Sequence, residues 1–218
     1  MISRLYAAWL ACEAIYNLPA NFDSVLAVSP DTAGILTVDN TLTITIQGTT
    51  DVKMWESNFD GVPMTDSVFG KMHTGFLMSA RAIYAAVKPL IQQAVVEGKA
   101  VAICGHSRGG SLADILSAEC ALDSIPTSLF LFEAAPVGMQ QYIDFCAGQA
   151  RQNAIDLGIS TRNGLDPVPY SDEPFGYIPT WPCLNLEEDP KGLEELNVAD
   201  WHAGSTIYAG MLRLFPNG

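Results

Sequence analysis

Histidine is scarce in this chain: only His73, His106 and His202 occur among 218 residues. Any chemistry that needs an imidazole therefore has three positions to draw on, and they are too dispersed to suggest a zinc site. Cations are also few, with 11 Lys and Arg against 24 Asp and Glu, giving a formal charge of −13 and a pI near 4.4. Phosphate recognition relies on clustered Lys and Arg, so nucleic acid is excluded as a partner. Attraction to anionic membranes is disfavoured for the same reason. No apolar run is long enough to cross a bilayer, which argues against stable membrane anchoring, and there is no internal repeat or low-complexity tract. No N-x-S/T sequon marks a glycosylated route. The cysteines at 12, 104, 120, 146 and 183 are odd in number, and Cys104 and Cys120 fall in segments that read as buried, so no disulfide framework follows.

The opening stretch, Met1 to Asn17, has Arg4 ahead of an apolar run that reaches Cys12. That run is short and Glu13 interrupts it. Leu5, Trp9, Cys12 and Tyr16 recur at helical spacing, so the segment reads as an amphipathic helix packed on the body rather than a signal peptide. Without a leader the compartment is left unassigned, with a cytoplasmic or non-classically released protein expected. The length suits one domain, taken as 1–218. No feature specifies an oligomeric state.

What the chain does have is VAICGHSRGG at 101–110, an apolar run followed by Gly105-His106-Ser107-Arg108-Gly109. A nucleophilic serine must project its oxygen from a turn too sharp for ordinary backbone, and small residues two positions either side relieve the crowding between strand and helix. Val101 to Cys104 suits a buried parallel strand and Ser111 to Leu122 suits a helix, so strand, elbow and helix come in the required order. A serine of this kind needs a base and a group that orients it. His106 is directed away by the elbow and reads as a packed histidine, while His73 precedes a long helix upstream of the nucleophile. His202, on a late loop that can return over the carboxyl ends of the strands, is the favoured base. Asp166 follows a strand-like segment, Ala154 to Thr161, and is the candidate acid. The order Ser107, Asp166, His202 is that of α/β-hydrolase-type enzymes.

Five motifs in sequence, ITIQGTTDVKMW (44–55), KMHTGF (71–76), CGHSRGG (104–110), LDPVPY (165–170) and WHAGSTIY (201–208), resemble the class three lipases. This is the fungal-type triacylglycerol lipase family, which also includes feruloyl esterases and some phospholipases, and whose members are often secreted. The resemblance implies an α/β fold: a single-domain hydrolase with a central, mixed but mostly parallel sheet flanked by helices. It implies Ser107 as nucleophile, Asp166 as orienting acid and His202 as base. It also implies an oxyanion hole made by the backbone N–H groups of Thr49 and Arg108, a lipid or small-molecule ester as substrate, and no cofactor or metal. The residues agree on Thr49: Thr41 to Ile46 alternates as a half-buried strand, and Gly48 ends it in a turn that can expose successive N–H groups.

Gln47 stands where the family commonly has arginine, and Arg108 where leucine is frequent. The Arg108 cation either favours an anionic substrate group or pairs with a surface carboxylate, and the acid excess favours pairing. Trp55 to Gly70 falls where the family carries a hinged lid. Phe59, Val62, Met64, Val68 and Phe69 interleave there with acids and polar residues, so a lid with Trp55 and Phe59 at the pocket mouth competes evenly with an ordinary surface loop.

Between Asp166 and His202, six prolines and eight acids form a long loop. Its acids read as solvated surface ahead of a calcium site. Phe175, Tyr177, Trp181 and Trp201 fit either the core or an acyl pocket. The expected activity is carboxylic ester hydrolysis through an acyl-serine. A feruloyl or other aromatic esterase is the alternative on the same scaffold, and a non-catalytic binding protein is a third reading.

Overall fold

A computed structural model describes residues 4–49, 63–163, 166, 168–171, 175–186, 202, 207 and 211. Its largest element is a seven-stranded sheet in the order β1-β2-β3-β6-β7-β8-β9. The strands are β1 (Ser24–Val28), β2 (Asp31–Val38), β3 (Thr41–Ile46), β6 (Ala100–His106), β7 (Thr127–Phe132), β8 (Ile155–Arg162) and β9 (Cys183–Asn185). The first three pair antiparallel, and every pairing from β3 onward is parallel. The mixed, mostly parallel sheet that the resemblance implied is present, with the β2–β3 turn at Val38–Thr41. Asp39 and Asn40 turn it with φ of 47° and 61°, the paired left-handed residues that a two-residue hairpin requires.

Alternation along β6 and β7 divides the core between the two faces. Val101, Ile103, Leu129 and Leu131 pack with helices α2 (Thr74–Val96) and α3 (Arg108–Leu122). Ala102, Cys104, Phe130 and Phe132 pack with helix α1 (Arg4–Asn17) and with Ile207 and Met211. A sheet covered on both faces explains why these strands read as continuous apolar runs. Each fully buried Leu or Phe there contributes about 1.5–3 kcal/mol. Helix α4 (Gln140–Arg151) closes the α2/α3 face through Tyr142 and Cys146. All five cysteines are free, and only Cys183 is exposed.

Three elements depart from the sequence reading. Strands β1 and β9 were not expected, and the second half of the anticipated lid is a hairpin of β4 (Pro63–Asp66) and β5 (Gly70–His73). Asp66 accepts from the N–H groups of Val68 and Phe69 at 2.9 and 3.0 Å. Arg81 ties it to the body through Asp66 and Glu119, both at 2.7 Å. Phe69 is fully buried, edge-on to Tyr142 and Phe145. It belongs to the core and not to a mobile cover. Trp55 and Phe59 lie outside the described residues.

Candidate active site

The elbow has the geometry its sequence requires. Ser107 sits between β6 and α3 with φ 58° and ψ −131°, a backbone position that costs a non-glycine residue roughly 1–3 kcal/mol. The fold holds it there: the Ser107 N–H donates to the Phe132 carbonyl at 2.8 Å. Side chains on the flanking glycines are impossible. A Cβ on Gly105 would lie 2.2 Å from the Gly109 oxygen, and one on Gly109 would lie 2.2 Å from the Ile46 oxygen.

The second contact brings the end of β3 against the elbow. A Cβ on Gly48 would be 3.3 Å from Ser107 Cβ and 2.6 Å from the His106 carbonyl, so the turn that carries Thr49 runs directly beside the serine. Gln47, where the family commonly has arginine, fastens this turn, its N–H donating to the Thr32 carbonyl and its side chain to the Ile15 carbonyl at 3.2 Å. The Gly48 N–H donates to Tyr16 Oη at 2.8 Å, which leaves the next N–H, that of Thr49, as the donor the turn can offer. Tyr16 escaped the sequence reading because its helical spacing marked it only as core.

Arg108 is the first residue of α3, where a backbone N–H has no carbonyl partner inside the helix. Its side chain does pair, but with a buried carboxylate and not a surface one. Nε and Nη2 donate to Asp31 at 3.0 and 3.1 Å, and Nη2 also reaches Ser79 Oγ at 2.9 Å. Asp31 is 7% exposed. The cation is thereby committed to fixing the elbow helix on β2.

Asp166 and His202 meet. Asp166 Oδ2 is 2.9 Å from His202 Nδ1, and Asp166 Oδ1 accepts from the Val168 N–H at 3.0 Å. Both residues are buried. The His202 ring stacks on His106, with centroids 4.8 Å apart at 28°, which sets it over the residue that precedes Ser107.

His106 is the packed histidine expected. It lies edge-on to Trp9 and Tyr16, and burial, reinforced by His202, pushes its pKa well down. His73 caps α2 by accepting from the Phe76 N–H at 3.3 Å. Burial and then the Arg108 charge lower its pKa to about 4.

One member of the cluster had not been anticipated. Glu133, directly after β7, is fully buried and has a left-handed backbone with φ 52°. Its Oε2 is 3.2 Å from His202 Nδ1 and 3.7 Å from His106 Nε2. The sequence did carry a signal: Glu133 is the lone charge between Asp123 and Asp144, in a run too apolar to leave a charge unpaired. Burial opposes protonation of His202, but hydrogen bonding and charge from Asp166 and Glu133 outweigh it and raise its pKa to about 9. Glu133 is itself raised to about 8, chiefly by burial, with His202 opposing and the Asp166 charge adding to the rise.

His106, Glu133 and His202 offer ligand-type atoms within 4.8 Å of one another. The near-parallel stacking of the two rings keeps their in-plane lone pairs from converging on one point. The arrangement suits hydrogen bonding better than metal coordination.

A strained serine between a parallel strand and a helix, with a His–Asp pair at the carboxyl edge of the same sheet, defines the α/β-hydrolase fold. The chain belongs to the lipase (class 3) family, whose family model matches residues 43–172. It is similar to a secreted mono- and diacylglycerol lipase of Fusarium solani, 26% identical over 203 residues, covering 88% of this chain and 60% of the relative. The chain thus spans three-fifths of that protein's length. Among solved structures it is similar to the Rhizomucor miehei triacylglyceride lipase, with TM-score 0.65, 20% identity, and 78% of this chain and 74% of that one covered. It is also similar to a lipase of Rhizopus microsporus var. chinensis, with TM-score 0.64, 19% identity, and coverage of 79% and 67%. Among the described residues no helix is long and apolar enough to cross a membrane. The expectation of a cytoplasmic or non-classically released protein finds no support in these relatives, of which the Fusarium enzyme is named as secreted.

Proposed function

We propose that this chain hydrolyses carboxylic esters through an acyl-enzyme on Ser107, with His202 as base and Asp166 as the acid that orients it. The observation that carries this reading is the Asp166–His202 pair at 2.9 Å, at the sheet edge where the elbow presents a strained serine. Ser107 Oγ attacks the ester carbonyl carbon as His202 Nε2 takes the hydroxyl proton. The tetrahedral oxyanion is held by the N–H groups of Thr49 and Arg108. Collapse expels the alcohol, which leaves with the proton from His202. Water then attacks the acyl-serine by the same route and releases the acid. Each oxyanion donor contributes about 10²–10³ in rate, because it meets charge that exists only in the transition state.

The name of the Fusarium relative supports a glyceride ester as the substrate class. The acids between Trp55 and Gly70 favour short or medium acyl chains over emulsified long-chain fats, with no interfacial jump. The test is a chain-length series of nitrophenyl esters beside an emulsified triglyceride, with fluorophosphonate labelling of Ser107. Smooth saturation through the ester's solubility limit is expected. Failure to label, with no turnover of any ester, would favour a binding protein that retains the fold.

A further inference from the structure

We infer that Glu133 is a positioning residue for His202, a second buried carboxylate that shares the Nδ1–H with Asp166, so that the base is oriented by two acids from two different strand ends. The inference rests on the reading of Ser107, Asp166 and His202 given above and adds a residue to it.

The argument begins with the cost of keeping Glu133 where it is. The side chain is fully buried, and neither carboxyl oxygen has a hydrogen bond of good geometry among the described residues. The backbone is in the left-handed region, which disfavours a side chain of this length. A carboxyl that is buried with no backbone donor, on a strained backbone, is accounted for by what it faces. What it faces is His202 Nδ1 at 3.2 Å, against 2.9 Å for Asp166. The sheet explains the coincidence. β6, β7 and β8 are parallel neighbours, with His106 paired to Phe132 and Phe132 to Thr161. Their carboxyl ends therefore deliver Ser107, Glu133 and Asp166 to one edge.

The two acids are not equivalent. Asp166 has a backbone donor from Val168 on its other oxygen. Glu133 has none, and burial keeps it protonated near neutrality. The other titratable groups facing this space are His106 from β6, Arg162 from β8 and Cys183 from β9. When Asp166 is lost, Glu133 ionises in its place and holds the same tautomer, with Nδ1 protonated. No reagent beyond the enzyme's own protons is required.

The experiment compares Asp166→Asn, Glu133→Gln and the double variant on a soluble nitrophenyl butyrate, with kcat and KM measured across pH and the His202 ring titration followed by NMR. Loss of the orienting acid costs about 10⁴ in kcat where nothing replaces it. Here Asp166→Asn should lose about 10²-fold and the double variant the full ~10⁴-fold. Glu133→Gln alone should lower kcat less than tenfold, leave KM unchanged and lower the His202 midpoint. Glu133→Gly, which relieves the φ of 52°, should show the same synergy in a protein that folds. A double variant no slower than Asp166→Asn, with the His202 midpoint unmoved by Glu133→Gln, overturns the inference. Retained turnover in Ser107→Ala would instead overturn the hydrolytic reading, and the ring titration would still decide whether Glu133 acts on His202.

Discussion

Asp114 and Glu133 are both acids buried in the core, 3% and 0% exposed, and burial raises the pKa of both, to about 6 and about 8. Their surroundings differ. Asp114 Oδ1 accepts from Trp181 Nε1 at 2.9 Å and Tyr142 Oη at 3.1 Å, and the resulting knot ties α3, α4 and the segment before β9 together. Donors offset part of the desolvation of a buried carboxylate, so Asp114 is a structural fastening. Glu133 has imidazoles and another carboxylate for neighbours. The contrast shows how to separate a stabilising buried acid from a working one: the first is surrounded by neutral donors, the second by groups that titrate.

The sharpest break between the two regions is at the elbow. Ser107→Ala should lower ester turnover by about 10⁴-fold or more while leaving the melting temperature essentially unchanged. A tenth of the activity surviving would remove the serine from its role.

Next in size is the pH dependence of stability at Glu133. Its pKa rises from 4.5 in the unfolded chain to about 8 in the fold, so the folded state holds the extra proton in that window. Its contribution is full below pH 4.5, is lost as pH rises through 8, and amounts to on the order of 5 kcal/mol. His202, raised from 6.5 to about 9, acts in the same direction. Glu133→Gln should therefore be more stable relative to wild type at pH 9 than at pH 5, as read from urea midpoints at the two values. An equal difference at both would mean that the fold does not raise the Glu133 pKa.

At Asp114 the expectation reverses. Asp114→Ala orphans buried donors and should cost about 2–4 kcal/mol in a urea melt, with kcat on a soluble ester within about threefold of wild type. A larger fall in kcat without loss of stability would join the two regions into one site. The smallest effect is expected at Tyr16→Phe. It removes the acceptor of the Gly48 N–H, costs about 1 kcal/mol, and should lower kcat rather than raise KM, because it loosens the turn that aims Thr49.

The sequence made the elbow, its helix, the mixed sheet and the pairing of Asp166 with His202 legible because each rests on local spacing or on a shortage of alternatives. Three histidines left little choice of base. It concealed what depends on distant contacts. The segment 55–70 read equally as a lid or a surface loop because its apolar residues, Val68 and Phe69 among them, interleave with acids, and only packing tells them apart: Phe69 is buried against Tyr142 while Val68 is 40% exposed. β1 was hidden by its mostly exposed residues, and β9 by its three-residue length. Glu133 offered one odd charge in an apolar strand and no motif, since its meaning comes from a residue far along the chain.

Helix α1 also bears on how the chain reaches its fold. Its Trp9 rests on Phe132 with ring centroids 5.1 Å apart, and Ala102, Cys104 and Phe130 in the same cluster lie on β6 and β7, so these partners are made long after the helix itself. At roughly 5–20 residues per second, a ribosome needs on the order of ten seconds to reach β7. For that interval Leu5, Tyr6 and Trp9 lack the β6 and β7 side chains that bury them in the fold.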